Sequence, residues 1–239
     1  MDIKGKKVLI TGGTDGIGLE MARQMQAKGA HVSVCGRRQA LLDSAASEGF
    51  DAIPADLTSP KACATLAALV AGKGIDILIN NAGAGSDYDI NAPIDLADND
   101  RVIFLNLNAP VHLITHLLPA LRARPEAAIV NVTSGLAIAP RGGGPIYCAT
   151  KAGLRSFTMA LRYQLRGTRV HVIEALPPVV ETRMTAGRAG NKMSPAACAR
   201  QIVAAIEANR AQANVGMVKI LKAVYSLSPA LARSIMIKF

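Results

Sequence analysis

The sequence predicts a single α/β domain, a doubly wound parallel sheet of six or seven strands with helices on both faces. Three observations predict it. Short, β-rich apolar runs alternate with amphipathic stretches of helical length as far as Ala175. A cluster of glycines follows the first apolar run at once, as in a strand–turn–helix unit. The 239 residues, half of them apolar, suffice for one large core, and no repeat, low-complexity stretch or linker divides residues 1–239. Such alternation requires right-handed crossovers and a sheet covered on both sides.

Lys6 to Thr11 is the first strand, and Gly12-Gly13-Thr14-Asp15-Gly16-Ile17-Gly18 is the turn that follows it. Leu19, Met21, Ala22 and Met25 then continue as a helix that stops near Gly29. His31 to Cys35 is the second strand and completes a βαβ unit, with a short helix opening at Gln39. Next come strand Asp51–Pro54, helix Pro60–Ala71 and strand Ile75–Asn80. A long helix runs from about Ile94 to Leu121, bent at Pro110, where a backbone donor is missing. Strand Ala127–Thr133, helix Tyr147–Leu165 and strand Arg169–Ala175 complete the alternation.

The first βαβ unit carries chemistry. Backbone N–H groups of a glycine turn and the helix N-terminus behind it hold a pyrophosphate, and glycine lets the chain come close to it. Ser134 ends the fifth apolar run, so its hydroxyl falls at the carboxyl edge of the sheet, where open α/β folds bind ligands. Tyr147 and Lys151 are four apart on a helix and share a face. A tyrosine ionises near ~10, and a nearby ammonium is expected to pull that value toward neutrality, which suits proton transfer to a carbonyl oxygen. Alone, this pair also fits a half-buried ring beside a solvated lysine.

Together the motifs say more. Thr11-Gly12-x-x-x-Gly16-Ile17-Gly18, Asn80-Asn81-Ala82-Gly83, Ser134 and Tyr147-x-x-x-Lys151 stand in one order and spacing. From Ile3 to about Thr182 the chain thereby resembles the short-chain dehydrogenase/reductase family. The resemblance implies a Rossmann-type fold and reversible hydride transfer between a nicotinamide cofactor and a carbonyl or secondary alcohol. Tyr147 would be the general acid/base, Ser134 would bond the carbonyl oxygen, and Lys151 would hold the nicotinamide ribose. Asn106 matches a helix asparagine that holds a water linking Lys151 to solvent; it also fits an ordinary buried asparagine.

For the cofactor, the resemblance implies Gly12, Thr14, Asp15, Gly16, Ile17 and Gly18 around the phosphates, and Asp56 and Leu57 beside the adenine. Asn81, Ala82 and Gly83 would line the adenine-ribose side, with Pro177, Val180 and Thr182 at the nicotinamide. Asp56 equally fits a helix N-terminal turn. Two features depart from the family. Pro177-Pro178 replaces a common Pro-Gly, which stiffens the turn and removes a donor, and Val215-Gly216-Met217-Val218 runs into a helical tail, so a seventh strand is in doubt.

At the end of the second strand an acidic residue would select NAD, whereas arginine accommodates a 2′-phosphate. Here Gly36 is followed by Arg37 and Arg38, two guanidiniums able to grip a phosphate bidentately. NADP(H) is therefore expected over NAD(H). A solvated basic turn is the other reading, and Asp15 in the glycine turn weighs against NADP.

The net charge of +10 is concentrated after Thr182, where nine basic residues face one acid, Glu207. With no Trp and few aromatics, nucleic acid is not an expected partner. Cys35, Cys63, Cys148 and Cys198 have neither CxxC nor metal-ligand spacing and suit a reducing, cytoplasmic setting. No metal is expected, nor a signal peptide, nor an apolar run of transmembrane length.

Residues 183–194, with Gly187 and Gly190, take the place of a closing substrate loop. A homodimer or homotetramer is expected through the long helices, with Leu113, Leu117, Leu121, Leu154, Phe157 and Leu161 on their apolar faces; packing on their own sheet is the alternative. The tail, residues 215–239, is basic and apolar: a helical pair around Pro229 that caps the pocket, or an amphipathic segment on an anionic membrane. The rival to an enzyme is a nucleotide-binding regulator or membrane-peripheral protein without turnover.

Overall fold

The computed structural model describes residues 1–85 and 88–238. Seven strands, β1 (Lys7–Thr11), β2 (His31–Gly36), β3 (Asp51–Pro54), β4 (Ile77–Asn80), β5 (Ala127–Val132), β6 (Val170–Leu176) and β7 (Gln212–Asn214), form one sheet. Their order is β3-β2-β1-β4-β5-β6-β7, and every pairing is parallel. The order reverses between β1 and β4, which opens a crevice at the carboxyl ends of the strands.

Alternation along the strands feeds two cores. Val8, Ile10, Ile77 and Ile79 point to one face and pack with Met21 and Met25 of α1 (Gly16–Ala27) and Ile202 and Ile206 of α7 (Pro195–Glu207). Leu9 and Leu78 point to the other, against α3 (Pro60–Lys73), α5 (Ala109–Arg122) and α6 (Pro145–Gln164). The period of two makes both faces apolar because both are covered. Helix starts follow local chemistry: Ser59 and Ser194 accept from Ala62 N and Ala197 N, each with proline at the first turn. The short α2 (Gln39–Ser47) joins β2 to β3.

Four expectations need correction or sharpening. A seventh strand exists, three residues long and just upstream of the glycine where it was sought. The long helix is interrupted by a π-helical segment, Phe104–Asn108, between α4 (Leu96–Ile103) and α5. Pro110 cannot donate to the Asn106 carbonyl four residues back, so the ladder widens there. Among the described residues this Leu96–Arg122 helix is, contrary to expectation, long and apolar enough to cross a membrane. Its Leu113, Leu117 and Leu121 are nonetheless buried on the sheet, as are Leu154 and Leu161 of α6. Those leucines are core, not an exposed face for a partner.

After β7 the chain ends in two helices, α8 (Val218–Leu227) and α9 (Pro229–Met236), divided by Ser228, whose side chain caps α9.

Candidate active site

The glycine turn connects β1 to α1 at the crevice. Asp15 caps α1, its Oδ1 accepting from Gly16 N at 2.8 Å. Gly12 and Gly16 take φ of +61° and +55°, the left-handed region that side chains resist. Gly18 is needed for a different reason: a Cβ there would lie 2.4 Å from Gly12 O and 2.6 Å from Asn81 Nδ2. That same amide donates to Thr11 O and Gly12 O at 3.0 and 3.2 Å, while Thr11 Oγ1 accepts from Asn81 N and Ala82 N at 3.0 Å. The ends of β1 and β4 are thereby stitched into one rim.

A cleft of about 600 Å³ opens above this rim. All the residues expected at a cofactor or in catalysis line it except Gly18, which packs behind the turn, and Asn106, one layer deeper. Arg37 and Arg38 stand at its β2 end beside Gly36, with no carboxylate at that position. Their guanidiniums meet acids from elsewhere: Arg37 lies 3.6 Å from Asp56 Oδ2, and Arg38 3.1 Å from Asp15 Oδ2. Arg183, from the expected substrate loop, approaches the same Asp15 oxygen at 3.4 Å.

At the other end, Ser134 follows β5 and caps a short 3₁₀ turn, its Oγ accepting from Leu136 N at 3.1 Å. The Tyr147 side chain lines the same end of the cleft as Ser134. Lys151 is buried; its Nζ donates to Val132 O at 2.9 Å and lies 5.8 Å from the Tyr147 ring centroid. Proton affinities differ from expectation. Burial raises the Tyr147 pKa above 10, outweighing the influence of the Ser134 side chain and the fields of Arg188 and Arg141. Burial also lowers the Lys151 pKa from 10.5 to about 8. Lys151 is not what tunes Tyr147 in this state; desolvation dominates both groups.

Asn106 is fully buried in the π segment. Its Oδ1 accepts from Ala84 N and its Nδ2 donates to Ala84 O, both at 2.9 Å, with Thr150 Oγ1 at 3.1 Å. The side chain thus braces the loop after β4 against α6. Gly83 is squeezed between: a Cβ there would lie 3.0 Å from Asn106 Oδ1 and 3.5 Å from Lys151 Nζ.

The residues present fit a dinucleotide. The glycine-rich turn and helix N-terminus stand in the cleft, with Arg37 and Arg38 at one end and the Ser134–Tyr147–Lys151 group at the other. Residues 6–192 match the family model described as short chain dehydrogenase. The chain belongs to the short-chain dehydrogenase family. It is 43% identical over 188 residues to the uncharacterized oxidoreductase DltE of Bacillus subtilis (strain 168), covering 76% of this chain and 74% of that one. A short chain dehydrogenase from Burkholderia cenocepacia J2315 in complex with NADP superposes over the full length of both chains, with a TM-score of 0.89 and 23% identity. One from Burkholderia phymatum in complex with NAD covers 95% of this chain and 96% of its own, with a TM-score of 0.84 and 20% identity. These two likenesses establish the fold alone.

Several residues that shape this dehydrogenase's cleft escaped sequence reasoning. Thr185 ties the base of the 183–194 loop, accepting from Thr182 N at 3.1 Å and donating to Val180 O. Glu181 N and Met193 N close that base on Met193 O and Val179 O at 2.9 and 3.1 Å. Thr182, already expected at this site, overhangs the glycine turn, its methyl 3.1 Å from where a Cβ on Gly16 would be. Behind Ser134, fully buried Glu174 accepts from Thr133 Oγ1 at 2.9 Å and pairs with Arg155 at 2.7 Å, holding α6 to the sheet. A carboxylate within the apolar Val172-Ile173-Glu174-Ala175 run was the available signal, since a buried charge demands a partner.

Proposed function

We propose that this dehydrogenase interconverts a carbonyl and a secondary alcohol, with NADP(H) preferred over NAD(H). One observation carries the reading: Tyr147 and Ser134 share a cleft with Lys151 at one end and two arginines at the other. The nicotinamide cofactor, when bound, supplies or accepts the hydride. Ser134 orients the carbonyl oxygen, and Tyr147 gives it a proton as negative charge develops there. A tyrosine held above 10 is protonated at neutral pH, so the resting residue is ready as an acid in the reductive direction. Lys151, mostly charged at pH 7 with its pKa near 8, lines the cleft and would hold the cofactor ribose when the cofactor binds. The side-chain amide of Asn106, engaged by Ala84 and Thr150, positions the loop after β4, and a water linking Lys151 to solvent stays part of the proposal for this residue.

The two fold neighbours carry NADP in one case and NAD in the other, so the preference rests on this chain's own residues. Arg37 and Arg38 favour the 2′-phosphate. Their ion pairs with Asp56 and Asp15 are half exposed and cost little to exchange for a phosphate. Assembly, if two-fold through the long helices, would use outward residues such as Met159 and Tyr163 of α6 rather than the buried leucines. A cytoplasmic site remains part of the proposal.

A panel of ketones and aldehydes assayed with NADPH and NADH tests the reading. Wild type should turn over at least one with NADPH preferred, and Tyr147→Phe should abolish turnover while NADPH binding persists. Undiminished turnover in Tyr147→Phe would refute the chemistry. Tight NADPH binding without turnover on any substrate would favour the regulatory alternative.

A further inference from the structure

The helical hairpin α8–α9 turns at Ser228–Pro229 and is anchored by few contacts. Val218 packs on Gly135, 3.0 Å from where a Cβ there would lie, and Gly142 N donates to Ile237 O at 3.0 Å. The hairpin therefore rests on the β5–α6 connection, which runs from Ser134 to the start of the Tyr147 helix. Leu221, Val224 and Met236 are half-buried, but five large apolar side chains point outward: Ile220, Leu231, Ile235 and Ile237 are each about half exposed, and Leu227 at the turn is 88% exposed. Ile220 and Leu227 lie seven apart on α8, and Leu231 and Ile235 four apart on α9, so each helix shows an apolar stripe. Isolated exposed leucines are ordinary; five such residues within 18 positions are a patch.

Charge identifies what covers it. Lys219, Lys222, Arg233 and Lys238 stand among these residues, and no acid occurs from Val215 to Lys238. Lys222 donates to Gln212 and Arg233 to Tyr225, both neutral. None of the four pairs with a carboxylate among the described residues. A second copy docking through the same face would set four cations against four. A bilayer surface rich in anionic lipid accepts both the apolar stripes and the charge. We propose that the α8–α9 hairpin docks this protein on an anionic lipid bilayer, reversibly and without spanning it. The inference does not depend on the cofactor or the reaction.

Sedimentation of the full chain with vesicles tests it, using phosphatidylcholine alone or mixed with phosphatidylglycerol. The protein should pellet with the mixed vesicles, not with phosphatidylcholine alone, and salt should release it in part. Ile220→Glu with Leu227→Glu, at exposed positions that leave the core intact, should abolish pelleting without lowering the thermal midpoint. Lys219→Gln and Lys238→Gln should each reduce partitioning about fivefold, equivalent to ~1 kcal/mol per cation. Absence of wild-type pelleting with phosphatidylglycerol vesicles, or unchanged pelleting of the double glutamate variant, would overturn the proposal. A dimer in light scattering that Leu227→Glu dissociates, with no vesicle binding, would assign the face to a second copy instead.

Discussion

Lys151→Met tests how the site is held in tension with the fold. Lys151 is buried, and its pKa falls from 10.5 to about 8 because the ammonium has lost most of its water. At ~1.4 kcal/mol per pH unit, that charge costs the folded state ~3 kcal/mol at neutral pH. Methionine has similar length and no charge, but it gives up the bond to Val132 O, worth ~1–2 kcal/mol. The variant should therefore be more stable than wild type by ~1–2 kcal/mol at pH 7. Between about pH 8 and 10.5 the unfolded lysine keeps a proton that the folded one has released, so wild-type stability rises with pH across that window. The variant gains nothing there. By pH 10.5 the order should reverse, with the variant ~1–2 kcal/mol less stable. Urea unfolding of both proteins at several pH values from 7 to about 10.5 measures the difference directly, and other titrating groups cancel in it. A difference that stays flat across that range would refute the argument that burial of the charge is costly.

Replacing Arg37 and Arg38 together with alanine should weaken NADPH binding by ~2–4 kcal/mol and leave NADH nearly unchanged, read by calorimetry. Gly18→Ala should destabilise by ~1–3 kcal/mol and loosen the rim, because its methyl would meet Gly12 O and the Asn81 amide; thermal melting reports it. Glu174→Gln should cost ~3 kcal/mol in urea unfolding by leaving Arg155 without its buried partner, whereas a surface change such as Glu20→Gln should fall within ~0.5 kcal/mol.

Local rules and motif order went far. The first six strands, the capped helices and almost every cleft residue follow from runs such as Val8-Leu9-Ile10 and from the position of the glycines. What escaped depends on neighbours in space. Gln212-Ala213-Asn214 has no strand signature of its own; it is a strand because the open edge of β6 accepts it. The leucines of α5 and α6 form an apolar face in sequence, but only the sheet beneath says that the face is used. The chain of bonds from Asn80 to Asn131 to Thr158 required knowing that β4, β5 and α6 are adjacent. Tyr147 and Lys151 were placed correctly by helical spacing, yet their proton affinities were misjudged, because spacing reveals a charge nearby and not the depth of burial.

The four cysteines, all buried, sit in four different elements: Cys35 in β2, Cys63 in α3, Cys148 in α6 and Cys198 in α7. Burial pushes Cys35 and Cys198 up to about 12 and Cys63 to about 11, so at neutral pH these thiols are silent toward an alkylating reagent until the chain opens around them. Labelling followed residue by residue then becomes a clock for native-state opening. A common rate at all four would mean that both layers of the sheet part in one event. Faster labelling at Cys148, beside the hairpin and the site, would mark that quarter of the molecule as a separately opening unit.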